Sequence, residues 1–282
     1  MSPARLLWQR FRAHRAAMVA LSVLMLIVLA LCIGPWLSPF AVDSIDFDGE
    51  WATPPSTVNA HWFGTDSLGR DVFVRVLEGG RISLLVAFAA TLVSLLIGVG
   101  YGAVAGYFGG ALDAWMMRTV DILYALPFLF LVILLMVLFG RNVVLVFVAI
   151  GAINWLDMAR VVRGQVLALK QREFVLAAHT HGMDSAAILL RHIVPNLAGV
   201  VMVTVTLTIP QVILTESFLS FLGLGVQEPA TSWGTLINEG AREMQTTPWA
   251  LLFPAALMAL TLLCFNLIGD ALRDALDPRD AP

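Results

Sequence analysis

The chain has 282 residues, a formal net charge of −3, 59% hydrophobic residues and only 13% charged residues. Soluble proteins average about 45–50% apolar and about 25% charged residues. Because a soluble domain of this size cannot bury so much apolar surface, the composition excludes a soluble protein and predicts an integral membrane protein. No basic tract of the kind that binds nucleic acid is present.

Five uncharged runs are long enough to cross a bilayer, which takes about 20 helical residues. They cover residues 17–37, 82–112, 122–140, 192–215 and 244–269. A sixth run, 142–156, has only 15 residues before Asp157. The first run follows four arginines, but it is longer than a signal-peptide core and no clear cleavage site follows it. We therefore interpret it as a retained membrane anchor.

The positions of the basic residues favour counting the short run as a sixth span. With six spans and the N-terminus inside, 12 of the lysines and arginines lie in cytoplasmic segments and 5 lie outside, as the positive-inside rule requires. Without the fourth span, the basic stretch 160–191 moves outside. The sequence therefore predicts an all-α, multi-pass membrane protein with six transmembrane helices and both termini in the cytoplasm.

Glycines recur at every fourth position in the second predicted span: Gly98, Gly102, Gly106 and Gly110. Residues at this spacing lie on one helix face, and glycine there allows another helix to approach closely. We predict a helix-packing face. The glycines superficially resemble a phosphate-binding loop, but no strand precedes them.

Several kinds of catalytic or cofactor site are disfavoured by the sequence. A P-loop needs a Gly-Lys-Ser/Thr triplet, and the single lysine, Lys170, is not in one. His179, His181 and His192 share the loop between the fourth and fifth spans, but their spacing and the absence of a nearby cysteine favour ordinary loop residues over a zinc site. We expect no catalytic activity, metal or cofactor in this chain, so any ATP that drives it is bound by another chain.

Charged residues in or beside membrane spans are functional candidates because their burial is costly. Asp121 lies three residues from Arg118, and Asp157 three residues from Arg160, so an i, i+3 ion pair is the simpler interpretation for both. Glu216 has no such neighbour. It either faces a translocation pathway or hydrogen-bonds another helix, and the sequence alone leaves both alternatives open.

The predicted inside loop, about residues 160–195, has the features of a docking element. Adjacent alanines on a short helix permit close approach to another protein, and Gly182 can end that helix at positive φ. Asp184 or Ser185 can cap the next helix, and a proline is expected to break it where the chain re-enters the membrane. The residues predicted to form this docking element are Glu173, Phe174, Ala177, Ala178, Gly182, Asp184 and Pro195.

This loop resembles the EAA loop of ABC-importer permeases, which has the pattern Glu-Ala-Ala, three residues, Gly and a later Pro. Ala177, Ala178, Gly182 and Pro195 match that pattern, and Leu176 stands where the glutamate would be. Further stretches resemble the C subunits of dipeptide, oligopeptide and nickel permeases, most of all those of oligopeptide permeases. They are residues 61–71, 80–84, 155–165, 191–196, 217–225, 232–234 and 266–274.

The resemblance implies a type I ABC-importer permease fold in the bacterial inner membrane. It divides the chain into residues 1–80 (N-terminal segment, first span and periplasmic loop), the permease domain 81–270 and a cytoplasmic tail 271–282. It also implies a heterodimer with a B-type permease subunit. Two cytoplasmic ATPases, which would bind ATP and magnesium, and a periplasmic peptide-binding protein complete the assembly. The loop around Phe174 to Gly182 would then transmit motion of the ATPases to the spans.

Three alternatives remain open at this point. A related importer would move dipeptides, glutathione or nickel complexes. A proton-coupled secondary transporter would use Asp121 and Glu216 as relay groups. A membrane scaffold without transport activity would use the same loop only to recruit soluble proteins.

Overall fold

The computed structural model describes residues 3–45, 51–139, 143–228 and 230–276. These residues form α-helices and one π-helical turn, and their only β-type pairings are isolated bridges. The all-α prediction is confirmed. The α-helices are α1 Pro3–Ala13, α2 Arg15–Leu37, α3 Val72–Phe108, α4 Gly110–Tyr124, α5 Phe128–Phe139, α6 Val143–Leu169, α7 Glu173–Thr180, α8 Ser185–Ile188, α9 Val194–Asn196, α10 Ala198–Phe221, α11 Trp233–Arg242 and α12 Pro248–Leu276.

Four of the described helices, α2, α3, α10 and α12, are long and apolar enough to cross a membrane. The bent pair of α4 and α5 gives a fifth candidate span. Helix α6, with 27 residues, occupies the place of the sixth, and the residues before it, including Arg141 and Asn142, lie outside the described part. The count of six spans therefore stays a prediction, with α6 as the helix on which it depends.

Helix α3 begins earlier than the uncharged run predicts and also ends earlier. It begins after Asp71, whose carboxylate accepts a hydrogen bond from the Val74 amide at 2.9 Å. It ends at Gly109, which has a φ of +67°. Gly110 therefore starts α4 with a φ of +59°, and a Cβ there would meet nothing within 4 Å. The prediction that Gly110 belongs to the packing face is wrong, because the chain turns before it.

The other three glycines of the series lie against α6. A Cβ at Gly98 would lie 2.5 Å from the Cβ of Met158, and one at Gly106 would lie 2.9 Å from the carbonyl oxygen of Arg163. At Gly102 the added carbon would overlap the carbonyl oxygen of Ala159. The backbones of α3 and α6 are thus in contact along three successive turns, which is the approach that small residues permit in membrane proteins.

The third predicted span, 122–140, is not one continuous helix. Helix α4 ends at Tyr124, and α5 starts at Phe128 with its axis turned by 79°. Pro127 lies in the break; it has no amide hydrogen and disfavours a helical conformation at the residue before it. The bend places the segment 121–127 at the surface of the chain.

The predicted break at Pro195 is not observed. The chain runs from α8 through a π-helical turn, Leu189–Ile193, into α9 and then α10. Pro195 lies in the first turn of α9, where its missing amide hydrogen is tolerated, and a π-helical turn is a known way to accommodate an irregularity inside a longer helix. The re-entry is therefore a distorted helix rather than a loop.

Apolar packing joins the helices at both ends of the bundle. We call the end with α7 the α7 end, and the end with residues 51–71 the loop end. At the α7 end, Val175 and Ile188 pack with buried side chains of α3 and α6. Also there, α1 packs on the last turns of α12 through Phe11 and Leu272. Helix α12 extends into the predicted tail 271–282, of which residues 277–282 lie outside the described part.

A glycine-to-alanine pair tests the close approach of α3 and α6. We expect Gly102→Ala to lower the free energy of unfolding by about 1–3 kcal/mol, because its methyl group would overlap the backbone of α6. Gly100→Ala is the matched control on the same helix, since its methyl group meets nothing within 4 Å. We expect that control to be neutral or stabilising by about 0.5–1 kcal/mol. Thermal unfolding of both variants in detergent measures the difference, and equal stabilities would contradict the packing assignment.

Candidate functional site

Helix α7 has one face toward its own chain and one face toward solvent. Val175 and Ala178 are buried against the ends of α3 and α6. Phe174 is 41% exposed, and Ala177, three residues later on the same face, is exposed too. The expectation that both alanines meet another protein therefore needs correction: Ala178 is part of the core of this chain, and Ala177 lies on the free face with Phe174.

The end of α7 is a Schellman turn. The Met183 amide donates to the Ala178 carbonyl at 3.2 Å, and the Gly182 amide donates to the His179 carbonyl at 3.0 Å. Gly182 has a φ of +75°, and a Cβ on it would meet nothing within 4 Å. Glycine is thus required here by backbone conformation and not by lack of space. Asp184 follows and caps α8 by accepting a hydrogen bond from the Ala186 amide at 3.0 Å.

Polar contacts also fasten α7, and the turn that precedes it, to the end of α3. The Lys170 ammonium donates to the Tyr107 carbonyl at 2.5 Å. The Tyr107 hydroxyl lies 3.3 Å from Nε2 of His179, and the two rings are nearly parallel. Within the described residues no three potential metal ligands converge. The structure thus places His179 in the contact between α7 and α3.

Ion pairs cross between α4 and α6. Arg163 donates two hydrogen bonds to Asp113, at 2.6 and 2.7 Å. Arg160 donates to Asp121 at 2.8 Å. The predicted pairing of Asp121 with Arg118 on its own helix is wrong, because the two helices lie close enough for partners on the facing helix to meet.

Asp157 likewise pairs across the two helices and not with Arg160. Its Oδ1 accepts a hydrogen bond from the Tyr124 hydroxyl at 2.9 Å. Tyr124 is the last residue of α4, so this bond joins α6 to the point where the broken span bends. Sequence spacing could not have indicated Tyr124 as the partner, because the bend that brings it there is a tertiary feature.

Glu216 is fully buried near the loop end of α10. The Ser83 hydroxyl of α3 donates to Oε2 of Glu216 at 3.1 Å, and the Ser220 hydroxyl donates to Oε1 at 2.7 Å. The Ser83 oxygen also accepts a hydrogen bond from the Trp233 amide of α11 at 3.1 Å. Of the two alternatives for Glu216, hydrogen bonding to another helix is the one observed, and the network joins α3, α10 and α11.

A cluster of charges joins residues 66–75, which include the start of α3, to Glu228 and to Glu239 of α11. The guanidinium of Arg75, a residue only 4% exposed, lies 2.8 Å from Asp66 and 2.9 Å from Glu239. Arg70 donates to Asp66 at 2.7 Å and to Glu228 at 2.7 Å. Two carboxylates around a buried arginine offset the cost of removing its charge from water. Sequence reasoning missed Glu228 and Glu239 because more than a hundred positions separate them from their partners.

The comparisons with known proteins agree with this architecture. Residues 98–280 match the family described as binding-protein-dependent transport system inner membrane component. Residues 2–55 match the N-terminal TM domain of oligopeptide transport permease C.

Close relatives match over nearly the whole chain. The oligopeptide transport system permease protein OppC of Escherichia coli K12 is 54% identical over 283 residues, covering 98% of this chain and 92% of that protein. OppC of Haemophilus influenzae is 51% identical over 280 residues, covering 98% and 90%. The dipeptide transport system permease protein DppC of Bacillus subtilis is 48% identical over 273 residues, covering 96% and 84%.

The apolar helices indicate a polytopic membrane protein, and the family matches place it in the permease class. The chain belongs to the family of inner membrane components of binding-protein-dependent transport systems, the permease subunits of ABC importers.

The charge cluster at the loop end makes stability depend on pH. The hydrogen bond from Arg70 lowers the pKa of Glu228 below its ordinary value of 4.5. A lowered folded-state pKa contributes stability that is present above pH 4.5 and is lost as the pH falls through the folded-state value. We expect the melting temperature of the wild type to exceed that of Glu228→Gln at neutral pH, and the difference to shrink below about pH 4.

Melting curves from pH 7 to pH 3 measure this difference. Glu173→Gln, a carboxylate on the exposed start of α7, serves as the control. A gap between wild type and Glu228→Gln that does not change with pH would contradict the role of the Arg70 contact.

Proposed function

We propose that this chain is a permease subunit of an ATP-driven importer that carries oligopeptides from a periplasmic binding protein into the cytoplasm. The observation that carries the proposal is the similarity, over nearly the whole chain, to permeases named for oligopeptide transport. The relative named for dipeptide transport is nearly as similar, so peptides as a class are supported more strongly than a particular length.

The proposed assembly pairs this chain with a B-type permease subunit. Two cytoplasmic ATPases bind ATP and magnesium, because this chain has no P-loop of its own. The binding protein delivers peptide to the loop end, where Arg70 pairs with Glu228 and Arg75 of α3 pairs with Glu239 of α11. This chain contributes a pathway and a docking element, and the chemistry of ATP hydrolysis belongs to its partners.

The proposed orientation puts the α7 end and both termini in the cytoplasm. Helix α1 packs on the last turns of α12, and Leu276 at the end of α12 lies beside Gly199 at the start of α10. The first helix, α1, and the end of the last helix, α12, therefore both lie at the α7 end of the bundle. Arg10, Arg12 and Lys170 all lie at this end, and cytoplasmic ends carry the excess of basic residues.

The proposed coupling uses the two faces of α7. Phe174 and Ala177 on the free face would enter a groove of an ATPase, and Val175 and Ala178 carry the motion into the core beneath. Because α3 and α6 are in backbone contact, movement of α7 displaces them together. ATP binding would thus shift the spans between inward- and outward-facing states, provided that the ATPases bind the two states with different affinity.

Reconstitution tests the proposed function. We expect liposomes that contain both permease subunits and both ATPases to accumulate a labelled oligopeptide when ATP is inside and the binding protein outside. Collapse of the proton gradient is expected to leave uptake unchanged, since ATP supplies the energy. A requirement for the gradient without ATP would support the proton-coupled alternative, and recruitment of the ATPases without uptake would support the scaffold.

The turn after α7 gives a second test. We expect Gly182→Val to uncouple ATP hydrolysis from uptake, because a β-branched residue at positive φ strains the turn that orients α7. Uptake should fall at least about tenfold, the factor that corresponds to 1.4 kcal/mol, while ATPase activity persists. Gly100→Val introduces the same side chain into open space on α3 and is the control. Normal uptake by Gly182→Val would show that α7 is not the lever.

A further inference from the structure

Asp157 lies at membrane depth. Met158 packs against Gly98, and about 15 Å of helix separate Gly98 from Phe108 at the α7 end of α3. The uncharged part of α3 continues in the other direction to Ile82, about 24 Å away. A hydrocarbon core about 30 Å thick therefore includes the level of Asp157.

The polar groups at this level are on the outer surface of the chain. Asp121 and Arg160 have side chains that are 63% and 43% exposed, and Tyr124 is 46% exposed. Asp157 is exposed as well, and the whole segment 121–127 at the bend between α4 and α5 is exposed. The bend and the four polar residues thus form one surface, which we call the α4–α6 polar face.

Lipid is excluded as the neighbour of the α4–α6 polar face. Charged side chains in membrane spans face a bundle interior or a water-filled cavity, because hydrocarbon cannot solvate them. Irregular backbone, such as that of residues 125–127, is tolerated at membrane depth only under the same conditions. The α4–α6 polar face therefore meets either an aqueous pathway or another protein chain.

The charges on this surface are not evenly compensated. Asp121 has an arginine partner, Arg160, at 2.8 Å, and the guanidinium of Arg160 also lies 4.5 Å from the centre of the Tyr124 ring. Asp157 accepts a hydrogen bond only from the neutral Tyr124 hydroxyl, and among the described residues its Oδ2 has no partner. Within the part of the chain that the structure describes, Asp157 is thus an oriented carboxylate with one unbonded oxygen and no cation in contact with it.

We propose that the α4–α6 polar face lines the translocation path, and that Asp157 is a transient subsite for the α-ammonium group of a passing peptide. The proposal rests on the peptide-import function. Every unblocked peptide carries this group, so a carboxylate that receives it serves peptides of any side-chain sequence. Attraction between the two charges is strong in a narrow, weakly solvated path, and a single contact lets the peptide leave again.

Thiol labelling tests the path without any need for a substrate. In the assembled complex with Cys32→Ser and Cys264→Ala, we expect Asp157→Cys to react with a water-soluble, membrane-impermeant thiol reagent, because the thiolate forms only in water. The control is Leu26→Cys on α2, which is 67% exposed on an apolar surface and should not react. An unreactive Asp157→Cys would show that another protein chain covers this surface, and would overturn the proposal.

Transport of two matched peptides tests the subsite. The pair, one with a free and one with an acetylated N-terminus, is chosen so that the wild-type complex imports both. Asp157→Asn keeps the acceptor for Tyr124 and removes the charge, so uptake of the free peptide should fall about tenfold and uptake of the acetylated peptide less than about twofold. Asp113→Asn, which weakens a different contact between α4 and α6, should affect both peptides equally.

The outcomes separate this proposal from the import function. Equal losses for both peptides with Asp157→Asn would make Asp157 a structural residue and overturn the subsite, as would unchanged uptake of both. A wild-type complex that imports no peptide would refute the import function and with it the ammonium subsite. The labelling result would still decide whether the α4–α6 polar face lines a path.

Discussion

Backbone contact between α3 and α6 is the constraint on which most of this structure depends. Gly98, Gly102 and Gly106 have no side chains to keep the helices apart, so the α6 backbone lies directly on α3. That contact fixes the distance between α6 and α4. It also brings together the side chains of α3 and α6 against which α7 packs. A wider separation would move apart the side chains against which Val175 packs. It would also lengthen the ion pair between Arg163 and Asp113.

The two ends of the bundle are stabilised by different physical means. At the α7 end, apolar burial and a backbone-bonded turn hold a short helix with one free face. At the loop end, Arg70 pairs with Glu228 and Arg75 of α3 pairs with Glu239 of α11, and Glu216 links nearby helices through serine hydroxyls. The charge pairing makes the stability of the loop end depend on pH.

Predictions from the sequence were correct for features that depend only on residues within one helix and its ends. The turn at Gly182 and the cap at Asp184 are observed because both depend on residues within a few positions. Predictions that required two helices had mixed outcomes, although three of the four glycines do lie against α6. Asp121 pairs with Arg160 instead of Arg118, because a facing helix offers a better-placed cation than the next turn does. Gly110 leaves the packing face because the chain turns at Gly109.

The sequence by itself determined that the chain is a membrane protein, where the four long apolar helices α2, α3, α10 and α12 lie, and that a short alanine- and glycine-bearing helix comes before α10. Composition and short-range spacing are sufficient for these features, since each depends on transfer to lipid or on local backbone geometry. Only the tertiary structure decided that Ala178 is buried while Ala177 is exposed, that Glu216 is enclosed by serines, and that Oδ2 of Asp157 has no partner among the described residues. Those properties arise from contacts between residues far apart in the chain, and a local sequence pattern does not predict which helices pack together.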